Sequence, residues 1–434
     1  MQYRSTKSDG SLVSFKDAVL RCLPEDGGLY VPDSIVDMRQ FFLYMNSETT
    51  YPELVATVAP ILLHGELNPF SASRVAESAF DYEPELRQLD ERFSLLSLYN
   101  GPTGVYKDFG IAFLAAVMEE LLKNNGRVMI LSAVRGDTGV SIAQAFYKRQ
   151  GINSVLLYPS GPIRGLDPAT FVQNGGNIIP IQIRGTFDDC QRLIREAIHD
   201  RPFAERYGIT SANAINPGRL LPQAFYYLYG FIKIKKYLSG NLIFSVPSGN
   251  FGNLIAGLYA WKFGMPVHGF VAAMNVNNAF GDYIRGKQFI PRPLITTNSP
   301  ALDVSIPANY ERLASFYGEA PAVMRNMVYP STVDDKVTLG AMERAWKCYG
   351  ILIDPHSAVA LAAAEELFES FEVGSHVVVM STGHPAKEAE TVAKATGQTI
   401  HLPPRLNVLQ KKSDPIALIE PQLDALEGAI VSCF

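Results

Sequence analysis

The sequence predicts an α/β fold of parallel sheets covered on both faces by helices, preceded by a mainly helical region. Three observations predict it. From Phe93 onward, short apolar runs rich in β-branched residues alternate with helical patterns, most clearly Phe93–Tyr99, Val128–Ala133, Val155–Tyr158, Ile178–Ile181, Leu242–Val246, Val267–Ala273 and His376–Met380. Runs without polar alternation suit strands buried on both faces, and strands that alternate with helices join as parallel crossover units. Several of these runs open into turns rich in Gly, Ser, Thr or Asn, and open α/β sheets hold their ligands at such carboxyl ends. Residues 1–92 carry short helical patterns instead, including Asp17–Leu20 and Tyr51–Leu63, and none of these turns. They read as an N-terminal domain, with 93–434 as the main domain. Past His401-Leu402-Pro403-Pro404 the alternation ends, and the tail reads as an extra strand and helix packed on the core.

The 434 residues suffice for two or three packed units, and 19% charged residues with a net charge of −5 describe an ordinary globular composition. Nucleic acid is not an expected partner, because Lys233-Ile234-Lys235-Lys236 and Lys411-Lys412 are the only short basic clusters. No apolar stretch reaches the roughly eighteen residues of a membrane span, and the N-terminus lacks the apolar core of a secretory signal. Cys22, Cys190, Cys348 and Cys433 show no paired spacing, which fits reduced thiols and a cytoplasmic location. No His or Cys spacing suits a metal; His356 and His384 are too far apart in sequence to form a pair. The sequence leaves the oligomeric state open between monomer and dimer.

The segment Gly101-Pro102-Thr103-Gly104-Val105-Tyr106-Lys107-Asp108-Phe109-Gly110 places one lysine between a turn and an apolar helix expected over Phe109–Leu122. At the rim of a packed core an ammonium loses hydration, its pKa falls, and the free amine becomes a nucleophile for a carbonyl such as that of pyridoxal phosphate. Ser248-Gly249-Asn250-Phe251-Gly252-Asn253 follows the strand Leu242–Val246 and precedes a helix from Leu254 to Ala260. Strand, Gly-rich turn and helix present backbone N–H groups and a positive dipole end to a phosphate. The turn lacks the Gly-Lys-Ser/Thr of a P-loop and the Gly-x-Gly-x-x-Gly of a dinucleotide fold, so a small phosphorylated ligand suits it better than ATP or NAD. Ser381-Thr382-Gly383-His384-Pro385-Ala386-Lys387 ends a third strand, with Ser381 or Thr382 as alternative caps for a helix near Pro385. Val134-Arg135-Gly136-Asp137-Thr138-Gly139 ends a fourth, ahead of a helix from Val140 to about Tyr147. Arg135 at that helix start is suited to holding an anion, and Arg219 in Asn216-Pro217-Gly218-Arg219-Leu220-Leu221 is a second candidate.

These segments resemble the threonine synthase family, pyridoxal-phosphate enzymes of the tryptophan-synthase-β type (fold type II). The resemblance runs over nearly the whole chain, through Asp26-Gly27-Gly28-Leu29-Tyr30-Val31-Pro32, the Lys107 segment, Gly-Asp-Thr-Gly, Ser211-Ala212-Asn213-Ala214-Ile215-Asn216, the 248–253 turn, Asn275-Val276-Asn277, Asp354-Pro355-His356-Ser357-Ala358-Val359-Ala360 and the Thr382 turn. It implies two parallel-sheet subdomains with the cofactor, pyridoxal 5'-phosphate, in the cleft between them, the smaller and mobile one at about 113–230. By resemblance Lys107 carries the cofactor in Schiff-base linkage and is the catalytic residue. Ser248, Gly249, Asn250, Phe251, Gly252 and Asn253 bind the cofactor phosphate, Thr382 meets the pyridine nitrogen, and Asp137 lies near the 3-hydroxyl. Arg135, Thr138, Asn275 and Arg219 are the expected substrate contacts.

The implied activity is the lyase reaction converting O-phospho-L-homoserine and water to L-threonine and phosphate by γ-elimination and β-addition of water. Two departures stand out: the family's Thr-Ser ahead of Gly-Asp-Thr-Gly is Val134-Arg135 here, and its Ala-Thr-Asn-Val-Asn-Asp is Ala273-Met274-Asn275-Val276-Asn277-Asn278. Both fall where substrate contact is expected. They keep open an alternative, another fold type II enzyme doing β-elimination or β-replacement on a serine- or phosphoserine-like amino acid. A non-catalytic binder of phosphorylated metabolites is the rival from another class, and it would not need a reactive Lys107.

Overall fold

The structure, a computed structural model, describes residues 1–8, 10–63, 65–123, 126–134, 136–160, 176–406 and 415–433. Two sheets organise the main domain. The larger runs in the order Val328–Thr332, Gly269–Met274, Leu242–Pro247, His376–Ser381, Phe93–Ser97, Glu85–Gln88. All its neighbours are parallel except the last pair, where Glu85–Gln88 returns antiparallel to Phe93–Ser97. That hairpin makes Glu85–Gln88 part of the larger sheet, although it precedes residue 93. The smaller sheet is wholly parallel, in the order Ala417–Ile419, Ile178–Ile183, Ile152–Pro159, Val128–Ala133, Ile209–Thr210. Its outer strand comes from the tail, where Ala417 and Ile419 stand opposite Ile181 and Ile183, and the helix Leu423–Cys433 follows as expected.

Continuous apolar strands are the cause of this layering. Phe93–Ser97, Val128–Ala133, Leu242–Pro247, Gly269–Met274 and His376–Ser381 are buried at every position, so each needs a helical layer on both faces. The helix Lys107–Leu121 is buried without interruption from Asp108 to Met118, the mark of an element enclosed on all sides. Aromatic packing joins it to the N-terminal domain: the ring of Tyr51 meets Phe80 at 4.9 Å, Phe109 at 5.2 Å and Tyr229 at 5.5 Å. Tyr51 opens the helix Tyr51–Leu62, whose start is set by reciprocal capping between Thr50 and Glu53. The N-terminal region is not purely helical, since Tyr3–Ser5 pairs antiparallel with Tyr30–Pro32.

Gly110 sets how closely the Lys107 helix approaches the helix Pro217–Leu220. A Cβ there would lie 2.4 Å from the backbone oxygen of Arg219, and backbone cannot swing aside. Gly110→Ala is expected to cost about 1–3 kcal/mol of stability by overpacking and to lower activity by displacing Arg219. Thermal unfolding and turnover measured together check this, and a variant with wild-type values for both would refute it.

Candidate active site

Four carboxyl-end turns of the larger sheet converge. Phe93–Ser97 leads to the Lys107 turn, Leu242–Pro247 to the 248–253 loop, His376–Ser381 to Thr382, and Gly269–Met274 to Asn275. The first and third are laced together. Tyr106 N–H donates to the Thr382 carbonyl at 3.0 Å, His384 N–H donates to the Gly104 carbonyl at 2.9 Å, and Val105 bridges Gly383. Gly104 makes the turn possible with φ of 71°. Asp108 fastens its other side by accepting from Thr103 N–H at 2.9 Å and from the Thr103 hydroxyl at 2.5 Å, while that hydroxyl also meets Ser141 at 2.8 Å.

Lys107 opens its helix two residues before the expected Phe109, because the turn supplies the helix entry. Its Nζ lies 3.8 Å from Asp137 Oδ2, with Lys107 held by the larger sheet and Asp137 by the smaller. Asp137 begins the helix Asp137–Phe146, three residues ahead of the expected Val140, behind Gly136 at φ 57°. Its other oxygen pairs with Lys387, which also donates to the Thr103 carbonyl at 3.1 Å. Burial works against ionising Asp137, but Lys387 and Lys107 outweigh it and hold its carboxyl down at about 2. An anionic carboxylate is therefore fixed between two ammonium groups. Thr138 follows in the first turn of that helix. Arg135 lies outside the described residues.

The helix after the phosphate loop begins at Gly252, two residues inside the expected loop, behind Phe251 in the left-handed region at φ 59°. The backbone N–H groups of Gly252 and Asn253 thus belong to an open first turn. Asn253 is 3% exposed, and its Oδ1 accepts from Tyr226 at 2.7 Å and Tyr227 at 2.8 Å. That fixes the amide's orientation and leaves Nδ2 a buried donor with no partner among the described residues. Gly249 is equally constrained, since a Cβ would meet the Ala301 carbonyl at 2.9 Å. An orphaned donor at a helix N-terminus fits a phosphate. The remaining loop side chains turn elsewhere. Ser248 donates to the Val246 carbonyl at 2.8 Å, and Asn250 Oδ1 accepts from Ala308 N–H at 3.0 Å. Asn250 Oδ1 is thereby tied to the segment that carries Asn309.

Arg219 is 5% exposed and donates to the Ala212 carbonyl at 2.8 Å, while its Nε has no partner. Among the described residues no carboxylate pairs with it. Burial pulls its pKa down to about 10, which still leaves it cationic at neutral pH, and the Tyr106 phenol is the group that acts against that shift. A buried guanidinium with open donors beside Lys107's neighbour is a ready anion site. Asn275 behaves differently: its Nδ2 donates to Thr297 Oγ1 at 2.9 Å and to Asp303 Oδ1 at 2.9 Å. It fastens the segment 297–303 that packs on Gly249. In the second departure, Met274 lies in the core with its methyl toward Gly281, and Asn278 donates to Thr332 Oγ1 at 3.0 Å. Met274 thus packs in the core, and Asn278 ties its turn to the strand Val328–Thr332. Val134 is likewise fully buried.

Thr382 is 7% exposed, and its N–H donates to Ser357 Oγ at 3.2 Å. Ser357 in turn meets Ser381 Oγ at 2.8 Å and is bound by Asp354. Neither Ser381 nor Thr382 caps the short helix Pro385–Glu388; His384 does, its Nδ1 accepting from Ala386 N–H at 3.2 Å. Burial, reinforced by Arg405 and Lys387, lowers the His384 pKa to about 4, so it caps as a neutral ring.

Lys387 and Glu388 received no role from the sequence, although the former closes a quoted motif. Tyr226, Tyr227 and Ser141 gave no local signal at all. Burial pushes the Glu388 carboxyl up to about 7, with Asp354 and Asp137 adding to the shift and His356, then Lys387, opposing it. Unfolded, the carboxyl ionises near 4.5. The folded state therefore keeps a proton that the unfolded state loses, and this group's contribution to stability falls as pH rises from about 4.5 through 7. Glu388→Gln is expected to stabilise the fold by about 1–2 kcal/mol at pH 8, a figure reduced for partial solvent access, and by almost nothing at pH 4.5. Melting curves at the two pH values check it; the same displacement at both would count against it.

A lysine at a helix head and a phosphate cradle at the carboxyl end of the same sheet are the marks of a pyridoxal-phosphate-dependent enzyme. Residues 84–383 match the family described as "Pyridoxal-phosphate dependent enzyme", and the cofactor is pyridoxal 5'-phosphate. Residues 2–80 match "Threonine synthase N terminus" and 357–430 match "Threonine synthase, C-terminal". The chain belongs to the threonine synthase family. It is 33% identical to threonine synthase of Haemophilus influenzae over 98% of this chain and 97% of that one. It is 34% identical to threonine synthase of Escherichia coli over 94% of each. The crystal structure of the Escherichia coli enzyme superposes with a TM-score of 0.88 at 31% identity, covering 100% of both chains. A pyridoxal-phosphate-bound threonine synthase from Brucella melitensis gives 0.88 at 27% identity, over 99% of this chain and 98% of that one.

Proposed function

We propose that this cleft converts O-phospho-L-homoserine and water to L-threonine and phosphate, with Lys107 as cofactor anchor and proton carrier. The observations that support this most directly are the orphaned Asn253 donor and an Arg219 with no carboxylate partner among the described residues, two candidate anion sites. The first fits the cofactor's phosphate, together with the N–H groups of 249–253, and the second fits an anionic group of the substrate. When bound, the cofactor supplies an electron sink for negative charge developing at the amino acid's Cα and Cβ. Thr382 would offer a neutral hydroxyl to the pyridine nitrogen, and Asp137 would be the residue near the 3-hydroxyl.

The chain's own residues then handle protons and charge. Once its amine is released, Lys107 removes the proton at Cα and carries the proton at Cβ, so that phosphate leaves from Cγ. Asp137, anionic between Lys107 and Lys387, holds the lysine amine toward the space between the sheets. Arg219 orients the departing phosphate and stabilises its charge in a dry site. Water must be excluded until phosphate has left, which assigns closure to the smaller sheet unit.

No helix among the described residues is long and apolar enough to cross a membrane, and Cys22, Cys190, Cys348 and Cys433 are unbridged, which supports a reducing, cytoplasmic setting. The reading is tested by incubating the cofactor-loaded protein with O-phospho-L-homoserine and measuring threonine and phosphate. Equimolar products are expected. Turnover of O-phospho-L-serine or O-acetyl-L-serine with none of O-phospho-L-homoserine would replace this reading by the β-elimination alternative.

A further inference from the structure

A second cavity, of about 470 Å³, lies at the opposite edge of the smaller sheet, where its strands begin. Small-ligand pockets typically span roughly 300–1,000 Å³. The helices Phe15–Arg21 and Arg201–Tyr207 and the last residues of Lys107–Leu121 wall it. Its floor is apolar: Leu122, Val128, Ile198 and Ile209 are all buried there. Its rim is cationic. Lys16, Arg21, Arg127 and Arg201 face it, against the carboxylates of Asp17 and Glu205.

Local structure accounts for only part of that charge. Arg201 pairs with Glu25 at 3.1 Å, and Arg21 bonds the Tyr30 phenol at the favoured C-terminal end of its helix. Asp17 keeps its negative charge, its Oδ2 accepting among the described residues only from the neutral Ser14 hydroxyl at 2.9 Å, and Glu205 is the second carboxylate of the lining, so the excess of cations over carboxylates is modest. Lys16 and Arg127 remain. Neither side chain has an ion pair or hydrogen bond among the described residues. Lys16 sits in the first turn of Phe15–Arg21, where the helix dipole disfavours a cation, and Arg127 immediately precedes the strand Val128–Ala133.

We propose that this cavity binds a small organic anion, its apolar body on the Leu122–Val128 floor and its carboxylate or phosphate held by Lys16 and Arg127, and that occupancy is felt at the active site. Three elements connect the two. The helix that ends at the cavity with Leu121 starts at Lys107, about 20 Å away by helical rise. The strand that starts there with Val128 leads to the Asp137 turn, and Ile209–Thr210 leads to Arg219. A ligand that shifts any of these ends has a direct path to the lysine, the carboxylate or the guanidinium.

The test is a calorimetric titration of the cofactor-loaded protein with phenyl phosphate, an anion with an apolar body, repeated on the double variant Lys16→Gln/Arg127→Gln. Both side chains are exposed, so the variant is expected to melt as the wild type does. Saturable binding in the wild type, at least tenfold weaker in the variant, is the expected result. The visible circular dichroism of the bound cofactor is expected to change on titration of the wild type and not of the variant. Equal affinity in both proteins would place the probe in the catalytic cleft and overturn the proposal, as would absence of binding. An unchanged cofactor signal on saturation would overturn the coupling. Neither readout requires turnover, so a wrong assignment of the substrate leaves the outcome interpretable.

Discussion

Lys107→Ala is expected to abolish formation of threonine and phosphate, lowering turnover by about 10⁴-fold or more, because one residue supplies both the nucleophile and the travelling proton. The same variant should keep the phosphate cradle, since Asn253, Tyr226 and Tyr227 are positioned without it. Pyridoxal phosphate is therefore expected to bind the variant reversibly, with the absorbance of a free aldehyde and no adduct trapped by borohydride. The Lys107 side chain is also one of two cations beside Asp137. Removing it should raise the Asp137 pKa without unfolding the protein, because Lys387 stays paired with that carboxylate. Substantial turnover in Lys107→Ala would move the catalytic role to another amine, with Lys387 the first to examine.

Arg219→Met is expected to lower kcat/KM by about 30- to 5,000-fold, the loss of roughly 2–5 kcal/mol that follows truncation of a desolvated charge pair. Unlike most buried arginines that hold a fold together, this one is under-satisfied. One bond to Ala212 O and an unpartnered Nε leave much of its desolvation cost unrecovered until an anion arrives. Methionine of similar volume should therefore leave the stability of the substrate-free protein unchanged or raise it. Arg312 provides the contrast. It is fully buried too, but donates to Tyr30 O and Asn309 Oδ1 and to the Ala214 and Ile215 carbonyls, and Asn309 continues to Asn250 in the phosphate loop. Arg312→Met should destabilise the fold outright. Kinetics and melting temperatures for the two variants side by side check the distinction; a large drop in stability for Arg219→Met would make it a structural residue.

Much of the site was legible because its chemistry is carried by contiguous segments. A lysine between Gly-Pro-Thr-Gly and an apolar helix, or Ser-Gly-Asn-Phe-Gly-Asn after a buried strand, states both residue type and local geometry. The buried central strands were legible for the same reason, whereas the short or edge strands Tyr3–Ser5, Tyr30–Pro32, Glu85–Gln88, Ile209–Thr210 and Val328–Thr332 were not, and three helix starts, at Lys107, Asp137 and Gly252, were displaced. Each of these helices begins earlier than periodicity indicates, because the turn residues themselves form the first helical turn. Asn275 shows the opposite case. Its motif marks a ligand turn, but whether the amide faces a ligand or its own fold depends on Thr297 and Asp303, more than twenty positions away.

By itself, then, the sequence determined the alternation of buried strands and helices, the family and the cofactor, and singled out Lys107 as the candidate anchor, since these follow from short-range pattern and residue chemistry. The tertiary structure decided which side chains share a space. It placed Lys387 on Asp137, set two tyrosines behind Asn253, left Arg219 without a counter-charge among the described residues, completed the smaller sheet with a strand from the tail and opened a cationic cavity at its far edge. Each depends on segments tens to hundreds of residues apart. Burial and charge pairing act through space, and only the packed chain brings those partners within the few ångströms over which they operate.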